Sequence, residues 1–550
     1  MSGFFDVGKP QQLLIKHLLD RPLGWAPRQE IVYRDLHTHT YIDFHARIQR
    51  LARLLERLGV RRGDRIGVMD WDSHRYLELY FAVPMLGAVL HTVNVRLAPE
   101  QVLYTLAHAE DSLLLVHSDF LPLVEPMLPH LPLVRTTIQI TDDKSQTEVR
   151  AGFAGEYEQM LAGEEAGFDF PDFDENTIAT LFYTTGTTGD PKGVYFSHRQ
   201  IVLHTLAAAL TLSASREPLG IDDRDVYMPL TPMFHVHAWG IPYVATLLGM
   251  KQVYPGHYEP RMLAKMVALH RPSFTHCVPI ILQMILQHPA FAGLDLTGWK
   301  IVIGGATLTQ ALLTQALERG IRILAGYGMS ETCPVIALAQ IKQEMGDLDP
   351  ETKAGVLTRT GFPLALVRAR TLDFEGRPLP PGAEHAGELV LQAPWLTPGY
   401  FKNEAGSGEL WRGGWLHTGD VAYIDADGYI RITDRMKDVI KIGGEWISSL
   451  ELENALSRHP AVKEVAVIGV PDAKWGERPR AVIALKDEFR DKISMKDLFA
   501  HLRTFIDSGQ IHKRAILTEI HFAESLPHTS VGKLNKKALR AGCGPQKIHP

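Results

Sequence analysis

Short runs of apolar, often β-branched residues alternate along most of the chain with longer segments whose apolar residues recur at helical spacing. A short run bounded by turn residues predicts a strand, and an apolar stripe at helical spacing predicts an amphipathic helix. We predict strands at 64–70, 88–95, 112–118, 251–256 and 300–305, and helices at 47–59 and 260–272. Such alternation is typical of an α/β domain with largely parallel sheets.

The pattern changes after about residue 365. Turn residues separate short alternating strands at 367–394, which predicts a small β-rich subdomain. A second, smaller pattern then begins near residue 432, with an amphipathic helix at 449–462 and a strand at 463–472. We therefore predict a large N-terminal domain of α/β subdomains plus the β-rich subdomain, and a small, mobile C-terminal α+β domain. The predicted domains are residues 1–433 and 434–550.

Composition and charge exclude several functional classes. The 550 residues exceed what one hydrophobic core normally serves, so two or more domains are expected. A net charge of −6 without a long basic run argues against nucleic acid as a partner. Cys277, Cys333 and Cys543 are odd in number and far apart, which fits neither a disulfide framework nor a zinc site. A reducing cytoplasm fits best.

The most apolar stretch of the chain, residues 76–93, is interrupted by Glu78, Pro84 and His91. It therefore predicts a buried helix and strand rather than a membrane span. The N-terminus lacks the basic start and apolar core of a signal peptide. We expect a cytoplasmic protein without a transmembrane segment, for which transient contact with a membrane surface stays open.

The strongest local signal is the string from Tyr183 to Gly193, which holds four threonines, three glycines and one lysine. Glycines let backbone N–H groups approach a phosphate, hydroxyls donate further bonds, and lysine supplies charge. The string is not a Walker A loop, because Asp190 and Pro191 separate the last loop glycine from Lys192. The alternative is a flexible Thr/Gly turn.

This string resembles the phosphate-binding signature of the adenylate-forming superfamily, which includes acyl-CoA synthetases, firefly luciferase and peptide-synthetase adenylation domains. The resemblance is closest to medium- and long-chain fatty acyl-CoA synthetases, and it extends from about residue 30 to about residue 540 through further motifs in the expected order. It implies that ATP phosphates are bound by Thr184, Thr185, Gly186, Thr187, Thr188, Gly189 and Lys192. Thr184 is also a candidate Mg²⁺ ligand.

The segment Tyr327–Thr332 resembles the second signature of the superfamily. The resemblance implies that Tyr327 stacks on adenine beside Gly326 and Gly328. It further implies that Glu331 holds Mg²⁺ and that Thr332 binds the α-phosphate. A carboxylate is a hard oxygen ligand of the kind Mg²⁺ prefers. Taken alone, the segment could instead be a helix N-cap formed by Ser330 or Thr332.

Two segments resemble the ribose-binding and hinge regions of the superfamily. Trp415–Asp420 places Asp420 where a carboxylate accepts hydrogen bonds from both ribose hydroxyls. Asp434–Asp438 places Arg435 near the ribose and makes Asp434 the pivot between domains. The alternatives are an ordinary turn for the first segment and solvated charges for the second.

Near the C-terminus, Leu526–Lys533 resembles the segment that carries the adenylation lysine, here Lys533. That ammonium would bridge the substrate carboxylate and the α-phosphate while negative charge develops. The segment of Lys441, Gly443, Gly444 and Glu445 resembles the one that faces the active site during thioester formation, with the two glycines leaving a passage for the pantetheine arm of CoA. The alternatives are an exposed lysine and a βα turn.

The stretch Pro232–Gly240 is the most informative about the acid. The resemblance implies that His235 lies beside the reacting carboxylate and that Trp239 gates a fatty-acid tunnel. It also implies that the acyl and adenine pockets are lined by Val278, Gly304, Gly305 and Ala306, where the glycines leave room for a flat base or an acyl group. Alternatively, Trp239 is a core aromatic and the histidines are structural; no further ligands accompany them as a metal site requires.

The chain departs from the fatty acyl-CoA synthetase pattern at two places. His237 replaces an expected asparagine, and the residues around 511 lack an expected tryptophan and proline. The second departure leaves CoA contacts by His512, Lys513 or Arg514 in doubt.

The resemblance implies an AMP-forming acyl-CoA synthetase that uses ATP, Mg²⁺ and CoA to activate a carboxylic acid, with a medium-chain fatty acid as the expected substrate. Long-chain, branched, alicyclic and sulfur-containing short acids stay open. Transfer to a carrier protein, a luciferase-like oxygenase and an inactive nucleotide-binding regulator are the alternatives. The chain ends 17 residues after Lys533, without a carrier domain, which favours CoA. Close relatives suggest a homodimer.

Overall fold

The structure is a computed structural model that describes residues 11–143, 148–184, 190–214, 218–373, 375–442, 445–490, 492–508, 511, 515, 517–528 and 534–542. For residues 445, 446 and 542 it describes the backbone alone. Several predicted site residues lie outside the described residues: Thr185, Gly186, Thr187, Thr188, Gly189, Gly443, Gly444 and Lys533. Their roles, and those of residues 512–514, stay predictions.

The first part of the chain builds a six-stranded sheet with helices on both sides. The helices are α1 (Asp20–Trp25), α2 (Tyr41–Arg57), α3 (His74–Met85), α4 (Pro99–Ala109), α5 (Leu121–Val124), α6 (Tyr157–Ala162) and α7 (His198–Ala214). The strands are β1 (Glu30–Tyr33), β2 (His37–Thr40), β3 (Arg65–Met69), β4 (Val89–Thr92), β5 (Asp111–His117), β6 (Thr136–Ile140), β7 (Ile178–Tyr183) and β8 (Gly193–Ser197). The strand order is β6-β5-β3-β4-β7-β8, and every pair except β7–β8 is parallel.

The next part builds a nine-stranded sheet and a small antiparallel sheet. The helices are α8 (Val236–Trp239), α9 (Ile241–Leu248), α10 (Pro260–His270), α11 (Pro279–Gln287), α12 (Gln310–Glu318), α13 (Pro350–Leu357) and α14 (Glu404–Leu410). The strands are β9 (Val226–Tyr227), β10 (Lys251–Tyr254), β11 (Phe274–Cys277), β12 (Lys300–Ile303), β13 (Arg322–Gly328), β14 (Val335–Leu338), β15 (Phe362–Pro363), β16 (Arg368–Leu372), β17 (Gly387–Gln392), β18 (Trp411–Arg412), β19 (Trp415–Ile424) and β20 (Ile430–Arg435).

In the nine-stranded sheet the order is β15-β14-β13-β12-β11-β9-β10-β1-β2, and the central run from β13 to β1 is parallel. The small sheet has the order β16-β17-β19-β18, with β20 paired to β19, and is antiparallel throughout. Parallel strands buried on both faces need continuous apolar runs, and β12 and β13 carry them.

The last part of the chain forms its own sheet, with the order β22-β21-β24-β23 and β25 beside β24. Its strands are β21 (Ile440–Ile442), β22 (Glu445–Ile447), β23 (Val462–Asp472), β24 (Gly476–Leu485) and β25 (Glu519–Ala523), and its helices are α15 (Ser449–Ser457), α16 (Met495–Asp507) and α17 (Lys536–Gly542). Its two hydrophobic clusters draw their described residues from 440 onwards. The exact domain boundary at Asp434 stays a prediction.

The predicted α/β fold with largely parallel sheets is confirmed, and the predicted β-rich region is the small antiparallel sheet. Two details differ. Helix α2 begins at Tyr41 rather than at residue 47, because Thr40 and Asp43 form a capping box ahead of it. Lys441 lies on β21 and Glu445 on β22, two antiparallel neighbouring strands, rather than in a βα turn.

Among the described residues, no helix has the length and apolar character needed to cross a bilayer. Residues 76–93 form most of helix α3 and strand β4, and both are buried. Cys277 and Cys333 are buried free thiols.

Candidate active site

A cavity opens at the carboxyl ends of parallel strands β11, β12 and β13, where ligands bind in open α/β sheets. It is lined by residues that follow these strands and by the stretch that carries His235. Eight predicted site residues line it: His235, Trp239, Val278, Gly304, Gly305, Gly326, Tyr327 and Gly328. The fold therefore brings the predicted acyl-side and adenine-side residues together around one cavity. Ala306 is exposed beside Gly305.

The turn from Val236 to Gly240 has an unusual backbone. Its five residues have φ values of 48°, 53°, 45°, 59° and 71°. Left-handed backbone costs about 1–2 kcal/mol for each residue other than glycine, so such a run persists only where the surroundings hold it. Bonds from Ala238 N–H to His235 O (3.1 Å) and from Gly240 N–H to His237 O (2.9 Å) close the turn. The turn aims the Trp239 side chain into the cavity.

His237 anchors this turn inside an aromatic cage. Its ring is fully buried, with ring centroids of Phe182 and Tyr80 at 5.1 and 5.9 Å. Neither ring nitrogen has a hydrogen-bond partner among the described residues. Burial lowers the pKa of His237 to about 3, so the ring is neutral at physiological pH. The departure from asparagine therefore places an uncharged packing residue behind the cavity.

Gly304 and Trp239 are fitted to each other. A Cβ atom on Gly304 would lie 2.8 Å from Trp239 Cη2 and 3.1 Å from Gly326 O. We expected Gly304 to leave room for a base or an acyl group. In the structure the Trp239 indole occupies that space. With the indole in place, the cavity volume is about 90 Å³.

Asp72 ties the acyl side of the cavity together, and the sequence reasoning missed it. The buried carboxylate accepts hydrogen bonds from the Met233 N–H (2.8 Å) and from the hydroxyl of Tyr258, which lines the cavity. The Asp72 carbonyl accepts from the Gly256 N–H at 2.9 Å. Burial raises the pKa of Asp72 to about 7. The available signal was the pair of acids Asp70 and Asp72 just ahead of helix α3.

On the nucleotide side, Tyr327, Asp420 and Arg435 contact one another. The Tyr327 hydroxyl donates to Asp420 Oδ2 at 2.7 Å, and Arg435 Nε lies 3.3 Å from Asp420 Oδ1. Asp420 and Arg435 are paired residues on strands β19 and β20. The neighbouring Asp420 raises the pKa of Arg435, and burial raises that of Tyr327. A ribose reaching Asp420 would have to exchange these bonds for its own.

Tyr400 connects two predicted phosphate-side residues and was also missed. Its hydroxyl donates to Glu331 Oε1 at 2.7 Å, and Lys192 Nζ lies 4.5 Å from its ring centroid. The Thr332 hydroxyl is buried and bonds to the backbone of Met329 and Pro334. It thus shapes the turn that presents Glu331, while its predicted phosphate contact stays a prediction.

The residues present fit Mg²⁺ as a partly hydrated ion. Mg²⁺ keeps several waters and is usually held by one or two carboxylates together with substrate phosphates. The buried Glu331 carboxylate supplies one hard oxygen ligand. Within the described part of the chain, no three His, Cys, Asp or Glu side chains cluster as a metal cage would need. The donor set therefore fits an ion that arrives with a nucleotide.

The ends of the Thr/Gly string are held together by strands β7 and β8. The Thr184 N–H donates to Lys192 O at 2.9 Å, and the Lys192 N–H donates to Thr184 Oγ1 at 3.3 Å. Tyr183 and Gly193 pair one step further out. Strands β7 and β8 are therefore antiparallel neighbours, and Lys192 is exposed one residue before β8.

Asp434 joins the last strand of the small sheet to the C-terminal part. Its buried carboxylate accepts from the Arg435 N–H (2.7 Å) and the Ser449 N–H (2.6 Å). Burial raises its pKa. Further on, Lys441 is exposed on β21, and its N–H donates to Glu477 Oε2 at 2.8 Å, while Glu445 opens β22. These contacts make Asp434 the link between β20 and α15.

The fold, with two sheets in the N-terminal part and a small C-terminal unit, is the one seen in solved structures of adenylate-forming enzymes. A solved structure of the anthranilate CoA ligase AuaEII in complex with anthranoyl-AMP is similar, with a TM-score of 0.84, 25% identity, and coverage of 97% of this chain and 98% of that one. The family model described as "AMP-binding enzyme" matches residues 23–401. The model described as "AMP-binding enzyme C-terminal domain" matches residues 451–533.

Two relatives can be aligned with this protein over nearly the whole chain. A long-chain-fatty-acid–CoA ligase of Thermus thermophilus is 40% identical, covering 98% of this chain and 97% of the relative. A 3-methylmercaptopropionyl-CoA ligase of Ruegeria pomeroyi is 38% identical, covering 90% and 89%. The chain belongs to the AMP-binding enzyme family and is an enzyme of the acid–thiol ligase class. The inactive-regulator alternative is thereby set aside.

Proposed function

We propose that the protein is an AMP-forming acyl-CoA ligase whose substrate is a medium-chain fatty acid. The observation that carries the proposal is that His235, Trp239, Gly326 and Tyr327 all line the same cavity. An acid bound against the first two residues would present its carboxylate toward a nucleotide bound against the last two. Placing the two reactants side by side is what adenylation requires.

In the first step a carboxylate oxygen of the acid attacks the α-phosphorus of ATP, an acyl–phosphate bond forms, and pyrophosphate leaves. Lys533 and the Thr/Gly string offset the charge that develops on the α-phosphate. Bound Mg²⁺ would supply charge neutralisation at the phosphates, with Glu331 as its protein ligand. Asp420 and Arg435 hold the ribose, and Tyr327 lies along the adenine.

In the second step the CoA sulfur, having lost its proton, attacks the acyl carbonyl, and AMP leaves. We propose that the C-terminal domain, residues 434–550, turns about Asp434 between the steps. Lys533 then withdraws, and the segment with Lys441, Gly443, Gly444 and Glu445 approaches. Domain rotation that completes a site is a common conformational step. The contacts of Asp434 with Arg435 and Ser449 support a pivot at this residue.

The medium chain length rests on Trp239. The indole fills the space at Gly304, and the remaining cavity of about 90 Å³ is too small for any fatty chain, medium or long, while Trp239 stays in place. By their names, the two relatives described above act on a long-chain fatty acid and on 3-methylmercaptopropionate. A medium-chain acid lies between these two substrates in length. We infer that a modest movement of Trp239 admits a medium chain.

A panel of acids tests the proposal. kcat/KM is measured with ATP and CoA for 3-methylmercaptopropionate and for straight acids of increasing length, with branched and alicyclic acids included. We expect a maximum among the medium-chain acids. A maximum at the sulfur acid or at long chains would overturn the chain-length assignment while leaving the ligase chemistry intact.

Half-reactions test the lysine and the acceptor. Lys533→Ala should abolish pyrophosphate release yet keep thioester formation from supplied acyl-AMP. Equal survival of both half-reactions would contradict the role of Lys533. AMP release that depends on a carrier protein rather than on CoA would favour the carrier alternative.

A further inference from the structure

A second cavity lies on the six-stranded sheet and shares no lining residue with the candidate active site. Its volume is about 450 Å³, within the range of about 300–1,000 Å³ typical of small-molecule pockets. Arg65, Val89 and Ile178, at the starting ends of β3, β4 and β7, contribute to its wall. The candidate active site instead lies at the finishing ends of strands in the other sheet.

The interior of this cavity is apolar. Leu181 and Val89 belong to a small hydrophobic cluster beneath helix α4 that is separate from the main cores. Tyr195 and Phe401, both half-buried, complete the lining on the β8 side. Apolar side chains that stay half-open to water form a surface that an apolar ligand would cover favourably.

The rim carries one cation that lacks a counter-charge. The exposed Arg62 donates to Thr177 Oγ1 at 2.6 Å and lies 5.2 Å from the Phe173 ring centroid. No carboxylate within the described ranges forms an ion pair with it. Arg65, by contrast, is paired with Glu110 at 2.7 Å. The charge available at the rim is therefore a single guanidinium.

We propose that this cavity is a second, non-catalytic binding site for an amphiphilic carboxylate of the fatty-acid class. The single positive charge of one guanidinium balances the single negative charge of one carboxylate. The two planar groups can form two parallel hydrogen bonds. The apolar walls take the hydrocarbon tail. A nucleotide or CoA fits less well, because its several phosphate charges would need more donors than Arg62 supplies. The ligand class is argued from this cavity and does not depend on which acid the catalytic site activates.

The position of the cavity connects it to the nucleotide side. Leu181 and Tyr195 lie on β7 and β8, the two strands whose ends carry Thr184 and Lys192. The Phe401 N–H donates to Gly193 O at 2.8 Å, one residue from Tyr400, which contacts Glu331. A bound acid would therefore touch the strands that hold the Thr/Gly string.

Equilibrium dialysis of radiolabelled dodecanoate tests the proposal. The full-length protein is first saturated with 5′-O-(N-dodecanoylsulfamoyl)adenosine, a stable mimic of the acyl-adenylate, which fills the catalytic site. The blocked wild type should still bind about one dodecanoate per chain. Arg62→Glu should weaken this binding by about tenfold or more, since it replaces attraction by repulsion.

Two further variants make the result decisive. Arg61→Glu makes the same charge change on the neighbouring exposed residue outside the cavity and should bind dodecanoate like the wild type. Ile178→Trp should fill the cavity and reduce binding without a change of charge. Absence of dodecanoate binding in the blocked wild type, or equal losses in the Arg61 and Arg62 variants, would overturn the proposal. Turnover, measured separately, reports on the proposed function, so the two can fail independently.

Discussion

The two sides of the candidate active site are built on different physical principles. The acyl side is a buried, interlocked wall: the left-handed turn at 236–240 aims Trp239 at Gly304, and Asp72 ties the loops behind it. The nucleotide side consists of polar groups that bond to one another, such as Tyr327 with Asp420. Packing around Trp239 sets the shape of the acyl side, whereas the hydrogen bonds of the nucleotide side can be exchanged for bonds to a ligand.

This difference has a functional consequence. A wall that discriminates by shape should decide which acid is accepted, because close packing responds to a single methyl group. Groups that exchange hydrogen bonds with the nucleotide should set the affinity for ATP, and this affinity should be the same whichever acid is bound. Substitutions on the two sides should therefore separate in kinetic experiments.

The largest effect is expected on the nucleotide side. Asp420→Ala removes the acceptor of the Tyr327 hydroxyl and the proposed ribose ligand. We expect kcat/KM for ATP to fall about 100-fold, which corresponds to about 2.7 kcal/mol. The loss should be the same with a short and a medium-chain acid. A loss that varies strongly with the acid would contradict the functional separation of the acyl side from the nucleotide side.

The second prediction concerns the titration of the acyl wall. The folded-state pKa of Asp72, about 7, exceeds its ordinary value of 3.8, so folding favours the protonated carboxyl. The resulting stability is complete below about pH 4 and is lost as the pH rises through 7. The free energy of unfolding of the wild type, relative to Asp72→Asn, should fall by about 2–3 kcal/mol between pH 5 and 8.

Urea denaturation of both proteins at several pH values measures this difference. The Asn variant keeps an acceptor for the Met233 N–H and serves as the isosteric control. Parallel pH profiles of the two proteins would show that Asp72 is already ionised in the folded state and that its bonds outweigh burial.

Third, the fit between Trp239 and Gly304 should set chain length. Gly304→Ala pushes the indole into the cavity and should lower kcat/KM for the longest accepted acid by about tenfold. Trp239→Ala should shift the preference toward longer acids by a similar factor. In the Trp239→Ala background the Gly304→Ala substitution should lose most of its effect, because the contact no longer exists. Additive effects would contradict the fit.

The smallest effect is expected at His237. The ring is buried and neutral, and asparagine tolerates left-handed backbone, so His237→Asn should keep kcat within about threefold of the wild type. His235→Ala, two residues earlier on the cavity wall, is the matched comparison and should lose at least about tenfold. Equal losses in the two variants would mean that the buried ring takes part in the chemistry.

Much of the architecture could be predicted from the sequence, because its signals are local. Apolar runs predicted strands β3, β5 and β12. The match at seven separate motifs predicted the family. These features depend on neighbouring residues, which periodicity and turn chemistry reveal.

The rest depends on contacts between residues far apart in sequence. Asp72 and Tyr258 are separated by 186 positions, and Tyr400 and Glu331 by 69. Nor does the string Val236–Trp239 carry glycine or asparagine, the usual markers of left-handed backbone. Its conformation comes from the aromatic cage around His237 and the close approach of Gly240 to His204. Such tertiary constraints override local preference.

The central claim is that the cavity joins an acid to AMP before CoA takes part. A single-turnover measurement tests it: the enzyme is mixed with Mg·ATP and decanoate without CoA, and pyrophosphate and AMP are followed separately. We expect one burst of pyrophosphate per active site with bound acyl-AMP, and AMP release only after CoA is added. Pyrophosphate release that needs CoA from the start, or ADP and phosphate as products, would contradict it.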